Sequence, residues 1–261
     1  MRALSIAASG MQAQQLNVDV ISHNIANMIS TGYKRQRAEF TDMLYQNLER
    51  PGSTSSSSGA INPLGIQLGV GVKTQAVGRI TEQGGMTQTQ NPYDLAVDRR
   101  GYIQVTMPSG QIAYTRSGNL AVNADGVMVT ADGYPIQPSI TVPPEATAIQ
   151  ISRDGIVEAT LAGQTAPQQL GQLELASFIN PAGLEALGDN LYLETPASGS
   201  PNTATPGSPG LGTLMQGFLE TSNVNAVEEI SSLIVAQRAY EMNARVITAA
   251  DEMLQSTTNL R

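Results

Sequence analysis

Residues 224–260 read VNAVEEISSLIVAQRAYEMNARVITAADEMLQSTTNL, the one long helical signal in the chain. Leu233, Tyr240, Ile247 and Leu254 recur every seven residues, with Ile230 and Ala244 at the alternate seam position of the same face. That is a coiled-coil spacing. Asn225 can accept from the first-turn amides, and Glu228 three residues later completes a capping-box-like pair.

The opposite end of the chain carries a counterpart. Leu4, Met11, Val18 and Ile25 also repeat every seven, with Ala7, Gln14, Ile21 and Met28 at the second seam position. Roughly 27 residues from Ala3 and roughly 34 from Asn225 predict helices of about 40 and 50 Å, lengths that suit side-by-side pairing. Gln14, Gln237 and Asp251 sit in these seams, and several other seam residues are alanines. A lone hairpin of this kind is marginal, whereas small and polar seam residues suit helices that touch several neighbours. Two readings stay open: a helical hairpin packed on its own domain, and helices ordered by contact with further copies.

A chain of 261 residues with 41% apolar content can hold one large domain or two modest ones around a packed core. A formal charge of −8 and a pI near 4.6 leave no global basic field, and Lys34, Arg35 and Arg37 form only a short local cluster. Nucleic acid is not an expected partner. The absence of cysteine removes disulfides, thiolate nucleophiles and cysteine metal sites, and is compatible with either redox compartment. Ser9, Gln12, Gln14 and Gln15 interrupt any apolar run behind Arg2, so no cleavable secretion signal is expected. No run approaches the roughly 20 apolar residues of a membrane span.

The first helix is expected to stop at Ser30-Thr31-Gly32, where glycine can take a left-handed conformation. Tyr33 to Tyr45 then reads either as a short helix or as an extended arm anchored by Phe40 and Leu44. Pro51 to Gly59 is a Pro, Gly, Ser and Thr tract with no apolar group to offset the entropy of ordering. Ile66, Leu68, Val70 and Val72 alternate with polar residues and glycines, the pattern of a half-buried strand. Together these segments predict a long, Gly-rich, β-hairpin-like extension.

From Thr74 to about Leu193 the texture is β. Ser109-Gly110, Ser117-Gly118, Asp125-Gly126 and Asp132-Gly133 fall seven or eight residues apart between short apolar segments, which predicts an antiparallel meander, and Asp154-Gly155 marks a further hairpin. Thr195 to Gly212 is a second linker-like tract. The expected class is α+β: N- and C-terminal helices forming a coiled-coil-like domain (1–32 and 225–261), a connecting arm and long loop (33–73 and 211–224), and an inserted antiparallel all-β domain, a sandwich or open barrel (74–210).

Catalytic chemistry is poorly supplied. The sole histidine, His23, reads as a surface residue of the first helix, and without cysteine or a second histidine it builds no zinc site and no His-dependent triad. Gly65, Gly69 and Gly71 precede a strand instead of opening a helix, so they belong to the hairpin and not to a dinucleotide fingerprint. Asp94 and Asp98 could pair as a glycosidase acid and base, but no tryptophan and 4% aromatics furnish little for a sugar cleft. No cofactor, metal or enzymatic activity is expected.

The wording of both ends resembles the bacterial flagellar axial family of rod and hook proteins. The blocks that carry the likeness are Ala8-Ser9-Gly10-Met11, Asn24-Ile25-Ala26-Asn27 and Thr31-Gly32-Tyr33-Lys34 at one end. At the other they are Thr221-Ser222-Asn223-Val224-Asn225 and Gln237-Arg238-Ala239-Tyr240-Glu241. Tyr114-Thr115-Arg116-Ser117-Gly118 and Asn190-Leu191-Tyr192-Leu193-Glu194-Thr195 match the β domain of the family's distal-rod members, and Arg50-Pro51-Gly52 with the serine tract looks like their loop insertion. One departure is Arg99-Arg100-Gly101-Tyr102-Ile103, where the family usually has Gly-x-Gly and two aromatics. That departure bears on the local turn. His23 is another, standing where an Ala or Asn is more usual.

The resemblance implies a structural subunit of the distal rod of the flagellar basal body, polymerising into a rigid tube that transmits torque to the hook and contains the export channel. A proximal rod or hook subunit is the alternative. It also implies partners: further copies of the chain, proximal rod proteins, hook protein, the L-ring and P-ring proteins, and the flagellar type III export apparatus. Assembly is expected to use the seam residues Leu4, Met11, Val18, Ile25, Ile230, Leu233, Tyr240, Ile247 and Leu254. Stiffening is expected from the hairpin residues Pro51, Gly52, Gly59, Leu64, Ile66 and Leu68.

Overall fold

The computed structural model describes residues 2–49, 64–164 and 166–259. Two compact units are present. One gathers Met1–Ala26, Gln36–Gly78 and Asn225–Arg261, and the other Asn27–Arg35 and Arg79–Val224. The chain thus enters and leaves the second unit twice.

The first unit is built on two helices, α1 (Arg2–Ala26, 25 residues) and α2 (Ala226–Asn259, 34 residues). α1 ends at Ala26, short of Ser30-Thr31-Gly32, and the backbone beyond it passes through turns before Gly32 takes a positive φ of 69°. Asn225 begins α2 as expected of a cap: its carbonyl accepts from the Glu229 amide at 3.0 Å and its side-chain oxygen from the Val227 amide at 3.1 Å. The arm left open between helix and strand is extended. Strand Gln36–Asp42 pairs with Val72–Arg79, and Tyr45–Glu49 pairs antiparallel with Ile66–Gly69.

The predicted half-buried strand from Ile66 to Val72 is therefore two strands. Gly71, at φ 138°, lies against Ser9 of α1, and a side chain there would collide with the Ser9 hydroxyl. Ile66 and Leu68 are exposed within a single chain, as are Tyr45 to Glu49 opposite them. Pro51, Gly52 and Gly59 lie outside the described residues.

The second unit is β-rich, with most of its ladders antiparallel. Its largest sheet runs in the order Glu185–Gly188, Leu191–Leu193, Ile112–Thr115, Tyr102–Thr106, Leu175–Ser177, Asn202–Ala204, with Ile136–Gln137 also paired to Tyr102–Thr106. Residues Tyr102 to Val105 show why it is covered on both faces. Ile103 and Val105 join the main core with Leu95, Met128, Ile136 and Leu214, while Tyr102 faces the other way into a cluster with Tyr114, Phe178 and Tyr192. The rings meet edge to face, Tyr114 and Phe178 at 4.8 Å between centroids and Tyr102 and Phe178 at 5.9 Å. Four of the chain's eleven aromatic residues thus stabilise one face of this sheet.

The expected meander is broken at Ser117-Gly118. Ile112–Thr115 pairs with Tyr102–Thr106 and Leu191–Leu193, whereas Leu120–Val122 pairs with Met128–Thr130. Gly118 is not a hairpin tip. Its carbonyl accepts from the Leu95 amide at 2.9 Å, and a Cβ there would strike the Leu95 carbonyl oxygen. Glycine is needed for close approach of two backbones, which a turn-dipeptide reading cannot distinguish from a reversal. Asp125-Gly126 and Asp154-Gly155 do close hairpins, with glycine φ values of 81° and 82°.

Candidate assembly surfaces

Within the first unit, α1 and α2 run antiparallel. Asn24 near the end of α1 donates to Glu229 near the start of α2 at 3.2 Å, and Gly10 near the start of α1 faces Asn243. Fourteen residues separate Gly10 from Asn24 and Glu229 from Asn243, four turns on each helix. Glu229, Ala236 and Ala250 are buried and Asn243 half-buried, a heptad series of small and polar residues, with Leu233 and Ile247 half-buried beside it. On α1 the corresponding covered positions include Ala7, Ile21 and Asn24. This seam is narrow, because glycine and alanine bring the backbones close while offering little apolar area.

The sequence-predicted seam residues occupy its margins. Leu4, Met11, Val18, Ile25, Leu233 and Ile247 are half-buried, whereas Ile230, Tyr240 and Leu254 are exposed at 49%, 42% and 38%. The alternate position of the intrachain seam falls at Glu229, one residue before Ile230.

A second face of α2 was missed by the heptad reading. Val235, Ala239, Met242, Val246, Ala249 and Met253 follow one another at spacings of four and three, every one apolar, along a line about 100° round the helix from the Ala236 seam. Val235 and Met242 are more than three-fifths exposed. The signal was present in the sequence. The longer side chains of the Leu233 series drew attention from it.

On its other side α1 meets the ribbon. The Ser9 hydroxyl accepts from the Val72 amide at 3.3 Å, and Asn24 bonds to Gln36 twice, donating to its carbonyl at 2.8 Å and accepting from its amide at 2.9 Å. Asn24 therefore fixes both the helix pair and the start of the arm.

In the second unit, Glu220 is fully buried between two cations. Its Oε1 lies 2.6 Å from Lys34 Nζ and its Oε2 accepts from Arg116 Nε at 2.9 Å, with Arg116 Nη2 also within 2.8 Å. The Gly84 amide completes the carboxylate at 3.0 Å. Arg116 spends its remaining donors on the carbonyls of Arg99, Gly101 and Val97. Burial pushes the Lys34 ammonium below the usual lysine range, Glu220 pulls it back up, and the Arg116 guanidinium depresses it further.

Nearby, Asn223 accepts from the Arg35 amide at 2.7 Å and donates to the carbonyls of Ile80 and Glu82, both at 3.0 Å. Thr31-Gly32-Tyr33-Lys34 and Thr221-Ser222-Asn223, two blocks noted for their wording, thus meet as one network. Among the described residues no cluster of His, Asp or Glu is placed to hold a metal ion, and no helix is long and apolar enough to cross a membrane.

Comparison with known proteins places these features in a family. Residues 4–34 match the family "Flagella basal body rod protein", residues 96–159 "Flagellar hook protein FlgE/F/G D1 domain", and residues 215–260 "Flagellar basal body rod FlgEFG protein C-terminal". The chain is 59% identical over the whole of both sequences to the flagellar basal-body rod protein FlgG of Caulobacter vibrioides. It is 51% identical to that of Agrobacterium fabrum over 97% of each chain. It is 37% identical to that of Bacillus subtilis over 100% of this chain and 99% of the other. The N- and C-terminal helices, the β-rich sequence that separates them and full-length identity at this level agree: the chain belongs to the flagellar basal-body rod protein FlgG family.

Proposed function

We propose that this protein is a structural subunit of the distal segment of the flagellar rod, polymerising into a rigid helical tube that carries torque to the hook and encloses an export channel. The observation that carries the reading is the apolar line of α2 in which Val235, Met242, Val246, Ala249 and Met253 are exposed within the chain and Ala239 is half-buried. An exposed apolar line of this length on a thin helix pair is a surface that other copies cover.

The outer positions of α1 support the same reading. Leu4, Ala8, Met11, Gln15, Val18, Ser22 and Ile25 also alternate at four and three, a stripe of matching period. In the assembled tube the seam residues Leu4, Met11, Val18 and Ile25 belong to these contacts, and Ile230, Leu233, Tyr240, Ile247 and Leu254 flank them. The exposed ribbon residues Leu64, Ile66 and Leu68 are then covered by a neighbouring subunit, which stiffens the wall. Proximal rod proteins, hook protein, the surrounding ring proteins and the type III export apparatus are the further partners of such a subunit, and the basal body its location.

The test is concentration-dependent assembly of the purified full chain, followed by sedimentation and electron microscopy. Met242→Glu with Val246→Glu lies outside the intrachain seam, so monomer helicity is expected to hold while tubes are lost. Normal tubes from that variant, or a wild-type chain that stays solitary at every concentration, contradict the reading.

A further inference from the structure

The second unit contains a cavity of about 160 Å³ whose lining carries four cationic residues, Lys34, Arg99, Arg100 and Arg116, and no acidic one. Glu220 supplies a single negative charge, and two buried cations already share it. Of the three N–H groups of Lys34, Glu220 and the Glu82 carbonyl take two. Arg99 and Arg100 are exposed at this cavity, and neither guanidinium has an ion-pair partner among the described residues. Among the described residues, the lining holds more positive charge than its neighbours neutralise.

Arg99 also adopts a φ of 69°, which glycine takes freely and an L side chain resists. Its backbone is held there from both sides: the amide donates to Gln83 at 2.9 Å and the carbonyl accepts from Arg116 at 2.8 Å. Strain kept at a cavity, on the residue that adds a cation to it, points to a use for that cation. Beside the arginines stands Ile179, 94% exposed and part of the same lining.

We propose that this cavity receives a carboxylate carried by an acidic side chain of a second copy of the chain. Guanidinium pairs bind carboxylates through paired, charge-assisted hydrogen bonds, and this lining offers them beside an ammonium with a donor to spare. The second copy is favoured over a free anion by two observations. The chain has a net charge of −8, with Asp125, Asp132, Glu145 and Asp189 exposed on the same β-rich unit, so copies present what the cavity lacks. Ile179 gives a small anion no contact of value, whereas it gives a protein surface an apolar anchor at the rim. The inference rests on the self-assembly reading above and deepens it.

The test uses the full chain and the double variant Arg99→Gly, Arg100→Gln, which eases the backbone at 99 and leaves Lys34, Arg116 and Glu220 in place. Its thermal unfolding is expected to match the wild type or exceed it, while its assembly threshold in sedimentation velocity rises about tenfold or more. Ile179→Ser is expected to raise the threshold in the same direction. Glutarate should raise the wild-type threshold where sodium chloride of matched ionic strength does not, and should leave the double variant unmoved. A double variant that assembles at the wild-type threshold, while Met242→Glu with Val246→Glu does not assemble, overturns this proposal and leaves self-assembly standing. Glutarate that shifts the Arg99 and Arg100 amide resonances without moving the threshold overturns the second copy as the source. A wild-type chain that never assembles overturns both.

Discussion

Asn24 and Glu229, 205 positions apart, share a hydrogen bond of 3.2 Å that joins the end of α1 to the start of α2. Both side chains are buried, Asn24 to 1% and Glu229 to 5% exposure. Asn24 makes two further bonds to the Gln36 backbone, so one amide group joins α1, α2 and the first arm strand. A thin, alanine-rich seam gains its register from such polar contacts, since its apolar surface specifies little.

Replacing Asn24 with alanine leaves the Gln36 amide and carbonyl without their partner in a part-buried setting. The expected loss is about 2–3 kcal/mol of stability, read as a lower denaturation midpoint of the helical signal. Asn24→Asp tests the same point, because it keeps the acceptor for the Gln36 amide but loses the donor and faces Glu229 with a like charge.

Gly10 has room for little beyond a methyl group. A Cβ at Gly10 comes within 2.9 Å of Asn243 Nδ2, the end of a side chain that can turn aside. Gly10→Ala is therefore expected to change helicity only slightly, while Gly10→Leu forces the helices apart and lowers it clearly by circular dichroism. Equal effects from both substitutions contradict close packing at this position.

Glu220→Gln leaves Lys34 and Arg116 as two buried cations with no counter-charge. A loss of about 3–5 kcal/mol is expected in denaturant unfolding of the β-rich unit, more than for any single exposed acid. Lys34→Met on the Glu220→Gln background should recover part of it, because it removes one of the stranded charges.

Alkaline pH acts on the aromatic cluster. Burial pushes the Tyr102 and Tyr192 phenols above the ordinary tyrosine value, and Tyr114 is raised by burial and by Glu194. Their folded forms hold protons that the unfolded chain releases, so the stability they contribute is present below pH about 10 and lost as pH rises beyond it. Lys34 acts oppositely. Its depressed value means that the unfolded chain binds the extra proton between that value and about 10.5, so its contribution grows with pH there. Above about pH 10.5 the lysine is deprotonated in the unfolded chain too, so the opposing slope ends while that of the tyrosines continues and stability falls. Phenolate absorbance should show these three among the eight tyrosines titrating together with unfolding.

Much of this architecture was legible because it is periodic. Leu233 and Ile247 stand out at heptad spacing and are half-buried. The positions that close the helix pair, Glu229, Ala236, Asn243 and Ala250, alternate polar residues with the smallest apolar one and so read like a solvated face. Gly118 illustrates a different limit. A Ser-Gly dipeptide between apolar runs reads as a reversal, and only the Leu95 carbonyl shows that it serves close approach. The Glu220 network was out of reach for a third reason. Lys34, Arg116 and Glu220 are each ordinary charges in the sequence, and no local rule connects residues that distant.

That same distance gives the Glu220 network a temporal meaning. In a chain made from its first residue onward, Lys34 appears 186 positions before the carboxylate that neutralises it, and Arg116 waits 104. Until strand Phe218–Glu220 arrives, two cations destined for a dry interior stay hydrated, and the interior has reason to remain open. The ion-pair network of the β-rich unit is therefore complete only when its last strand is present, just before α2.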